Sequence, residues 1–338
     1  MEVKQIIVIG SSAGGIKAVN QLLSKLSPGL PIAVFVVIHM SKNSQAEIIR
    51  TQFQRATNYE CQVAADGEPI TAGKIYIAPA NHHLFIKRGI VRLTNGPHEN
   101  RWRPSIDVLF RSAAAAYDSH VIGIILTGML DDGTSGMSAI KRSGGICIVQ
   151  EPGEAEFEDM PANVLNNVQV DYQVLINDMG YIIEEILTQP KKDLVPIPED
   201  VKIEAAITER MISSIDEMER IGEHSNFTCP DCGGNLWKMK HEDFARYRCH
   251  TGHVYTENAL MEKQNEALEE SLWISVRMLE ERKNLFLNLA GKAGELQSGA
   301  ETETTYRQKA AQLAIHIDRL KKLLVAIGKT GPADEGYL

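Results

Sequence analysis

Three segments limit what this chain can fold into: residues 6–10 (IIVIG), 32–38 (IAVFVVI) and 121–128 (VIGIILTG). Each is apolar and rich in β-branched residues, without the alternation of a half-exposed strand, as expected of strands buried on both faces of a parallel sheet. Each is followed by a stretch with helical period. After the first, Ile16, Val19, Leu22, Leu23 and Leu26 fall on one helix face. Helical stretches follow the second at about 45–55 and the third in SGMSAIKRSG, SIDVLFRSAAAAY reads as another helix, and ICIVQ as a further strand. Strands alternating with helices predict an α/β domain with a doubly wound, mostly parallel sheet, up to about residue 187. Within it, KIYIAP, HLFIK and IVRL are short alternating segments split by Gly and Pro, and read as hairpins rather than βα units.

The first strand ends in a glycine-rich turn, IGSSAGG, that suits two chemistries. A phosphate loop of the Gly-x4-Gly-Lys-Ser/Thr type needs Lys after its second glycine, but Ile16 follows Gly15. A dinucleotide turn, G-x-G-x-x-G, needs glycine where Ser12 stands. The turn fits G-x-S-x-G instead, with Gly10, Ser12 and Gly14. That turn exposes a serine hydroxyl and places the next N–H at a helix N-terminus, as an oxyanion donor. Functional groups in such sheets collect at the carboxyl ends of the strands. His39 ends the second apolar run and Asp132 follows the third. A hydroxyl, an imidazole and a carboxylate thus reach one edge, which is the set a serine nucleophile requires. His82 and His83 are rival bases, and Asp131 and Asp132 are also suited to capping the next helix.

A second cluster lies at Cys229-x2-Cys232-x16-Cys249-x3-His253. Three thiolates and an imidazole at this spacing predict a tetrahedral Zn2+ site, with His250 as the rival fourth ligand. Four protein ligands leave no open position, so the expected role is structural and catalysis needs no cofactor. Five cysteines in 338 residues make no disulfide framework and suit a reducing cytoplasm. A net charge of −9 argues against non-specific nucleic-acid binding, and no apolar run approaches the roughly 20 residues that span a bilayer. No basic-then-apolar leader opens the sequence. From residue 257 the chain is polar with helical period. Leu268, Leu272, Leu279, Phe286 and Leu289, then Leu313, Ile317, Leu320, Leu324 and Ile327, form two apolar stripes that predict a helical hairpin turning at LQSGAETET.

IGSSAGG, VVIHM, IAPANHH, RPSIDVLFRSAA, ILTGMLDDGTSGM and FEDMP, in this order, resemble the catalytic domain of CheB-type chemotaxis protein-glutamate methylesterases. The resemblance spans roughly residues 3–187. It implies a doubly wound parallel sheet and hydrolysis of γ-glutamyl methyl esters on the cytoplasmic helices of chemoreceptors, with glutamine deamidation as a related activity. Carried over by motif, Ser12 is the nucleophile, His39 the general base and Asp132 its orienting carboxylate, with the backbone at Ala13 and Met129 as oxyanion and substrate contacts. Members often have Thr where this chain has Ala13, and related enzymes offer a histidine near Trp102 and Arg103. The N-terminal receiver domain usual in the family is not seen, so control is expected from a separate receiver or chemosensory regulator. The expected division is a catalytic domain at 1–187, a linker and short helix at 188–226, a zinc-ribbon-like module at 227–256 and a helical hairpin at 257–328. Two other functions fit the same motifs: a non-catalytic chemosensory scaffold using the zinc and helical modules, or an esterase with another substrate.

Overall fold

The computed structural model describes residues 3–189, 195–294 and 300–328. The first strand, β1 (Gln5–Ser11), leads through a glycine turn into α1 (Gly15–Leu23), then β2 (Ile32–Ile38) and α2 (Ala46–Ala56). β3 (Glu60–Val63) and β4 (Lys74–Ile77) follow, then β5 (His83–Lys87) and β6 (Ile90–Thr94). After α3 (Ile106–Tyr117) come β7 (Val121–Ile125), α4 (Thr134–Arg142), β8 (Ile146–Gln150), α5 (Asp159–Asn167), β9 (Tyr172–Val174) and α6 (Ile176–Thr188). Seven of these strands form one sheet in the order β3-β4-β2-β1-β7-β8-β9, and every neighbouring pair is parallel.

Strand alternation divides the core. Ile6 and Val8 of β1 pack with Leu109 and Phe110 of α3, Met137 and Ile140 of α4 and Val164 of α5. Ile7 and Ile9 point the other way, to Val19 and Leu22 of α1, Phe53 of α2 and Met179 and Ile183 of α6. Period-two side chains on a strand covered on both faces require this two-layer burial. The doubly wound α/β expectation therefore holds. One expectation within it is corrected. KIYIAP is not part of a hairpin: β4 pairs in parallel with β2 and β3, inside the main sheet. Its Ile75, Tyr76 and Ile77 are all buried, so the apparent alternation arose from shortness and from the flanking Gly and Pro, not from a solvated face. HLFIK and IVRL do form an antiparallel hairpin, β5–β6.

The expected linker lies partly outside the described residues, at 190–194. Beyond it stand two helices rather than one short one, α7 (Glu199–Arg210) and α8 (Ile215–Ile221). They precede an antiparallel four-stranded sheet, β10 (Gly222–Thr228), β11 (Asn235–Met239), β12 (Arg246–Cys249) and β13 (Val254–Thr256). Ile207 of α7 and Met218 and Ile221 of α8 share a small core with Trp237 and Met239 of β11. Charged groups join this sheet to the α/β layer. Arg246 and Arg248 of β12 meet Glu204 of α7, and Arg248 also meets Glu99, which pairs with Arg111 of α3; all five side chains are no more than 3% exposed. Residues 1–257 form one compact unit.

The second unit is a pair of long helices, α9 (Glu257–Gly294) and α10 (Ala300–Gly328). Val276, Ile317 and Leu324 form its buried seam, flanked by Leu272, Leu279 and Leu320. Phe286 stacks on Tyr306 and Glu280 reaches Lys321, so the helices run antiparallel. Leu268, at the start of the expected stripe, is 47% exposed and stands off the seam. The expected turn falls partly outside the described residues, at 295–299.

Candidate active site

β1 lies at the centre of the sheet, between β2 and β7. From β1 the chain winds outward to β2 and to the edge strand β3, steps back to β4 between them, then crosses to the other side of β1 at β7. The carboxyl end of β1 is therefore a topological switch point, where the loops leaving neighbouring strands diverge and open a crevice. Ser12 stands there, one residue beyond β1. Its N–H donates to Thr127 O (3.1 Å) beyond β7, while His39 N–H donates to Ser11 O (3.1 Å), so the backbone ladder places all three loops. Gly14, the N-cap of α1, has φ 74°, a left-handed conformation that glycine adopts without a Cβ penalty. Gly128 is needed for a different reason. A Cβ there would lie 2.9 Å from Ser12 Cβ and 3.0 Å from Ser12 N, and against Met160 Sδ.

The three side chains read from the strand ends form a continuous hydrogen-bonded row. Ser12 Oγ is 3.2 Å from His39 Nδ1, and His39 Nε2 is 2.7 Å from Asp132 Oδ2. The His39 and Asp132 side chains are each 1% exposed. With the proton on Nε2 donated to Asp132, the Nδ1 lone pair accepts the serine O–H; this tautomer suits a general base. Asp132 is held from several sides. It accepts from Ser105 Oγ (2.9 Å), Ile106 N–H (2.7 Å), Asp107 N–H (3.3 Å) and the Asn100 side-chain amide (3.0 Å). Burial opposes its ionisation, but the hydrogen bond and charge of His39, with the Ile106 and Asn100 donors, hold its carboxyl below the usual range.

The competing residues are engaged elsewhere. His83 is buried, accepts from Ser105 N–H at Nδ1 (3.2 Å) and donates from Nε2 to Pro97 O (2.8 Å). Burial pushes its pKa down. His82 Nδ1 contacts Ala80 O (3.0 Å). Asp131 contributes its carbonyl to Thr134 N–H (3.2 Å) at the start of α4. The side-chain cap of that helix comes from Asp107, whose Oδ1 accepts from Gly133 N–H (3.0 Å) and Gly136 N–H (2.6 Å). The amides of Ser12 and Gly128 are bonded to Thr127 O and Phe157 O, and Ala13 and Met129 follow them directly in the chain.

Sequence reasoning missed Asn100, Ser105 and Asp107, and saw Trp102 only as a departure from a motif. The Trp102 indole stacks on the His39 ring, with centroids 4.1 Å apart and planes 8° apart. A polar residue three before RPSID was the available signal for Asn100, but nothing local ties it to a loop beyond β7.

A model of the CheB methylesterase family matches residues 7–183. The chain belongs to the CheB methylesterase family. A relative from Leptospira interrogans, provisionally named protein-glutamate methylesterase/protein-glutamine glutaminase, is 38% identical over 169 residues, which span 50% of this chain and 87% of that one. Protein-glutamate methylesterase/protein-glutamine glutaminase 2 of Rhodospirillum rubrum is 34% identical over 166 residues, covering 48% of this chain and 45% of that protein. The catalytic domain of the Thermotoga maritima CheB methylesterase superposes with a TM-score of 0.52 at 30% identity, over 54% of this chain and 98% of that one. The family match ends at 183, so the four-stranded sheet and the helical pair lie beyond it.

The second cluster also comes together. One donor atom from each of Cys229, Cys232, Cys249 and His253 lies within 4.8 Å of the others. Cys232 and Cys249 Sγ are 3.7 Å apart, and His253 Nδ1 is 3.7 Å from Cys229 Sγ and 3.6 Å from Cys249 Sγ. A tetrahedron with Zn–S of about 2.3 Å and Zn–N of about 2.0 Å has edges of about 3.5–3.8 Å. The residues present therefore fit a metal ion of that size and softness. His250 stands outside the cluster, with its ring edge-on to Trp237.

Proposed function

We propose that this chain is a serine hydrolase that removes methyl esters from glutamate side chains of chemoreceptors during chemosensory adaptation. One observation carries the reading: the unbroken hydrogen-bonded row Ser12–His39–Asp132 at the switch point of the family's fold. Ser12 Oγ attacks the ester carbonyl as His39 Nδ1 takes its proton, and Asp132 stabilises the imidazolium. The oxyanion is received by the amides of Ala13 and Met129. The proton on Nδ1 then passes to the departing methoxide, which leaves as methanol. A water, deprotonated by the same imidazole, attacks the acyl-serine and releases glutamate and Ser12. A primary amide in place of the ester would release ammonia by the same steps, which is glutamine deamidation.

Zinc at Cys229, Cys232, Cys249 and His253 is proposed as structural, because four protein donors complete its tetrahedron. The functional division proposed is catalytic domain 1–187, a linking stretch 188–226 that carries the two helices α7 and α8, zinc-ribbon-like module 227–256 and helical hairpin 257–328, with the first three packed as one unit. The partners are methylated cytoplasmic receptor helices and a separate receiver or chemosensory regulator. A cytoplasmic location follows from that substrate, and among the described residues no helix is long and apolar enough to cross a membrane. The test is methanol release from a methylated receptor fragment. Release by the unaltered chain and none by Ser12→Ala is expected; no release by the unaltered chain across several receptors rejects the reading.

A further inference from the structure

A single short loop touches both the candidate base and its carboxylate. Residues 98–102 read HENRW, and Asn100 and Arg101 have φ of 48° and 71°. Two successive left-handed residues make a tight reversal, closed by Trp102 N–H to Glu99 O (2.9 Å) and Glu99 N–H to Trp102 O (3.3 Å). Neither residue is glycine, so the conformation costs free energy and persists only where its surroundings over-determine it.

Those surroundings come from the sheet β10–β13. Asn100 N–H donates to Val254 O (2.9 Å), and Val254 N–H donates to His98 O (3.4 Å), so the loop is bonded to β13 as a short parallel bridge. Glu99, 3% exposed, is clamped between Arg111 and Arg248. On its other side the loop presents two groups to the site. The Asn100 amide donates to Asp132 Oδ1 (3.0 Å) and Asp107 Oδ2 (2.8 Å), and the Trp102 indole covers one face of His39.

We propose that Asn100 and Trp102 are positioning residues of the hydrolase, and that the four-stranded sheet beyond the family match is the brace that fixes them. The proposal rests on the Ser12–His39–Asp132 reading. An amide donating to Oδ1 leaves Oδ2 aimed at His39. An indole stacked on the imidazole restricts its rotation, keeping Nδ1 on Ser12. The negative face of the indole also attracts the ring more once it is protonated, so the contact favours the state formed during proton transfer over the resting one. Trp102 is only half-buried, so its replacement need not open the core.

The experiment uses the full chain and an alkyl fluorophosphonate, which labels an activated serine irrespective of the natural ester. Labelling rate is measured together with the proton NMR signal of His39 Hε1, which lies in the ring current of Trp102. Trp102→Ala and Asn100→Ala should each slow labelling about tenfold or more, and Trp102→Phe should recover most of the loss. Trp102→Ala should also displace the His39 signal. Arg248→Met, which frees one side of Glu99, should displace the same signal and slow labelling. Labelling of Trp102→Ala and Asn100→Ala at the unaltered rate would overturn the proposal while leaving the triad standing. Slow labelling of Trp102→Ala without recovery in Trp102→Phe would overturn the stacking role. Failure of the unaltered chain to label at Ser12 would remove the triad, and the proposal with it.

Discussion

Asp107 and Asp132 are two buried carboxyl groups bound by a single amide, that of Asn100, which donates to one oxygen of each. Burial, and next the charge of Asp132, push the Asp107 carboxyl well above its usual range, whereas Asp132 is held low by His39 and its other donors. The negative charge therefore resides on the carboxylate that faces the imidazole. In Asp132→Asn that charge is gone, so the Asp107 carboxyl should titrate at lower pH than in the unaltered chain. Carboxyl 13C NMR reads this directly, and an unmoved Asp107 would show that the pair does not interact.

Gly128 touches the serine turn through its missing side chain. Gly128→Ala puts a Cβ against Met160 and within 3.0 Å of Ser12 N, and a backbone atom cannot yield as a flexible side chain can. Displacement of the nucleophile by a fraction of an ångström to an ångström should cost about 100-fold in esterase rate. Pairing Gly128→Ala with Met160→Ala should restore stability more than activity, since only the side-chain conflict is relieved. Thermal melting and turnover, measured on both variants, separate the two effects.

Acid should attack the joint between α7 and β12. Glu204 accepts both guanidinium arms of Arg246 (2.6 and 2.8 Å). Burial opposes its charge, but Arg246, Arg111 and Arg248 outweigh that and depress its pKa; Glu99 is depressed likewise by Arg111 and Arg248. A depressed carboxylate contributes stability above its unfolded value, about 4.3 for Glu, and that contribution is lost as pH falls through the folded value. Glu204→Gln should cost about 3–5 kcal/mol at pH 7 because it leaves buried arginines under-paired. It should lose less than the unaltered chain between pH 5 and pH 2. Urea unfolding across that range tests both statements.

Metal analysis of the purified chain should find one zinc per molecule, and Cys232→Ser should lower zinc affinity sharply. Substitution with Co2+ should give the intense visible bands of a tetrahedral thiolate site, weakened in Cys232→Ser. Equal and negligible zinc in both proteins would reject the site.

Ser12, His39 and Asp132 were legible because each ends or closely follows a buried apolar run, and a parallel sheet delivers the ends of such runs to one edge. The cysteine cluster was legible because its ligands are close in sequence. Asn100 and Trp102 were not, because they reach the site through a reversal of two left-handed residues with no glycine to announce it. Asp107 was hidden inside a helix, where an acid reads as an ordinary first-turn residue; only its contact with Gly133 and Gly136 shows that it caps another helix. β4 was misjudged because four residues carry too little pattern to separate a hairpin strand from a buried one. β3, with a glutamate and a glutamine in ECQV, carried less still.

The central place of β1 has a consequence for the order in which the molecule is built. Ser11 and Thr127 are 116 positions apart, yet their contact closes the turn that carries Ser12. On the ribosome, at about 5–20 residues per second, the nascent chain carries Ser12 for several seconds before Thr127 is made. Asp132 follows shortly, and Val254, which holds Asn100, later still. Until then Ser12 lacks the contact that closes its turn and the carboxylate that orients His39, so the assembly of the site is a late event in its own synthesis.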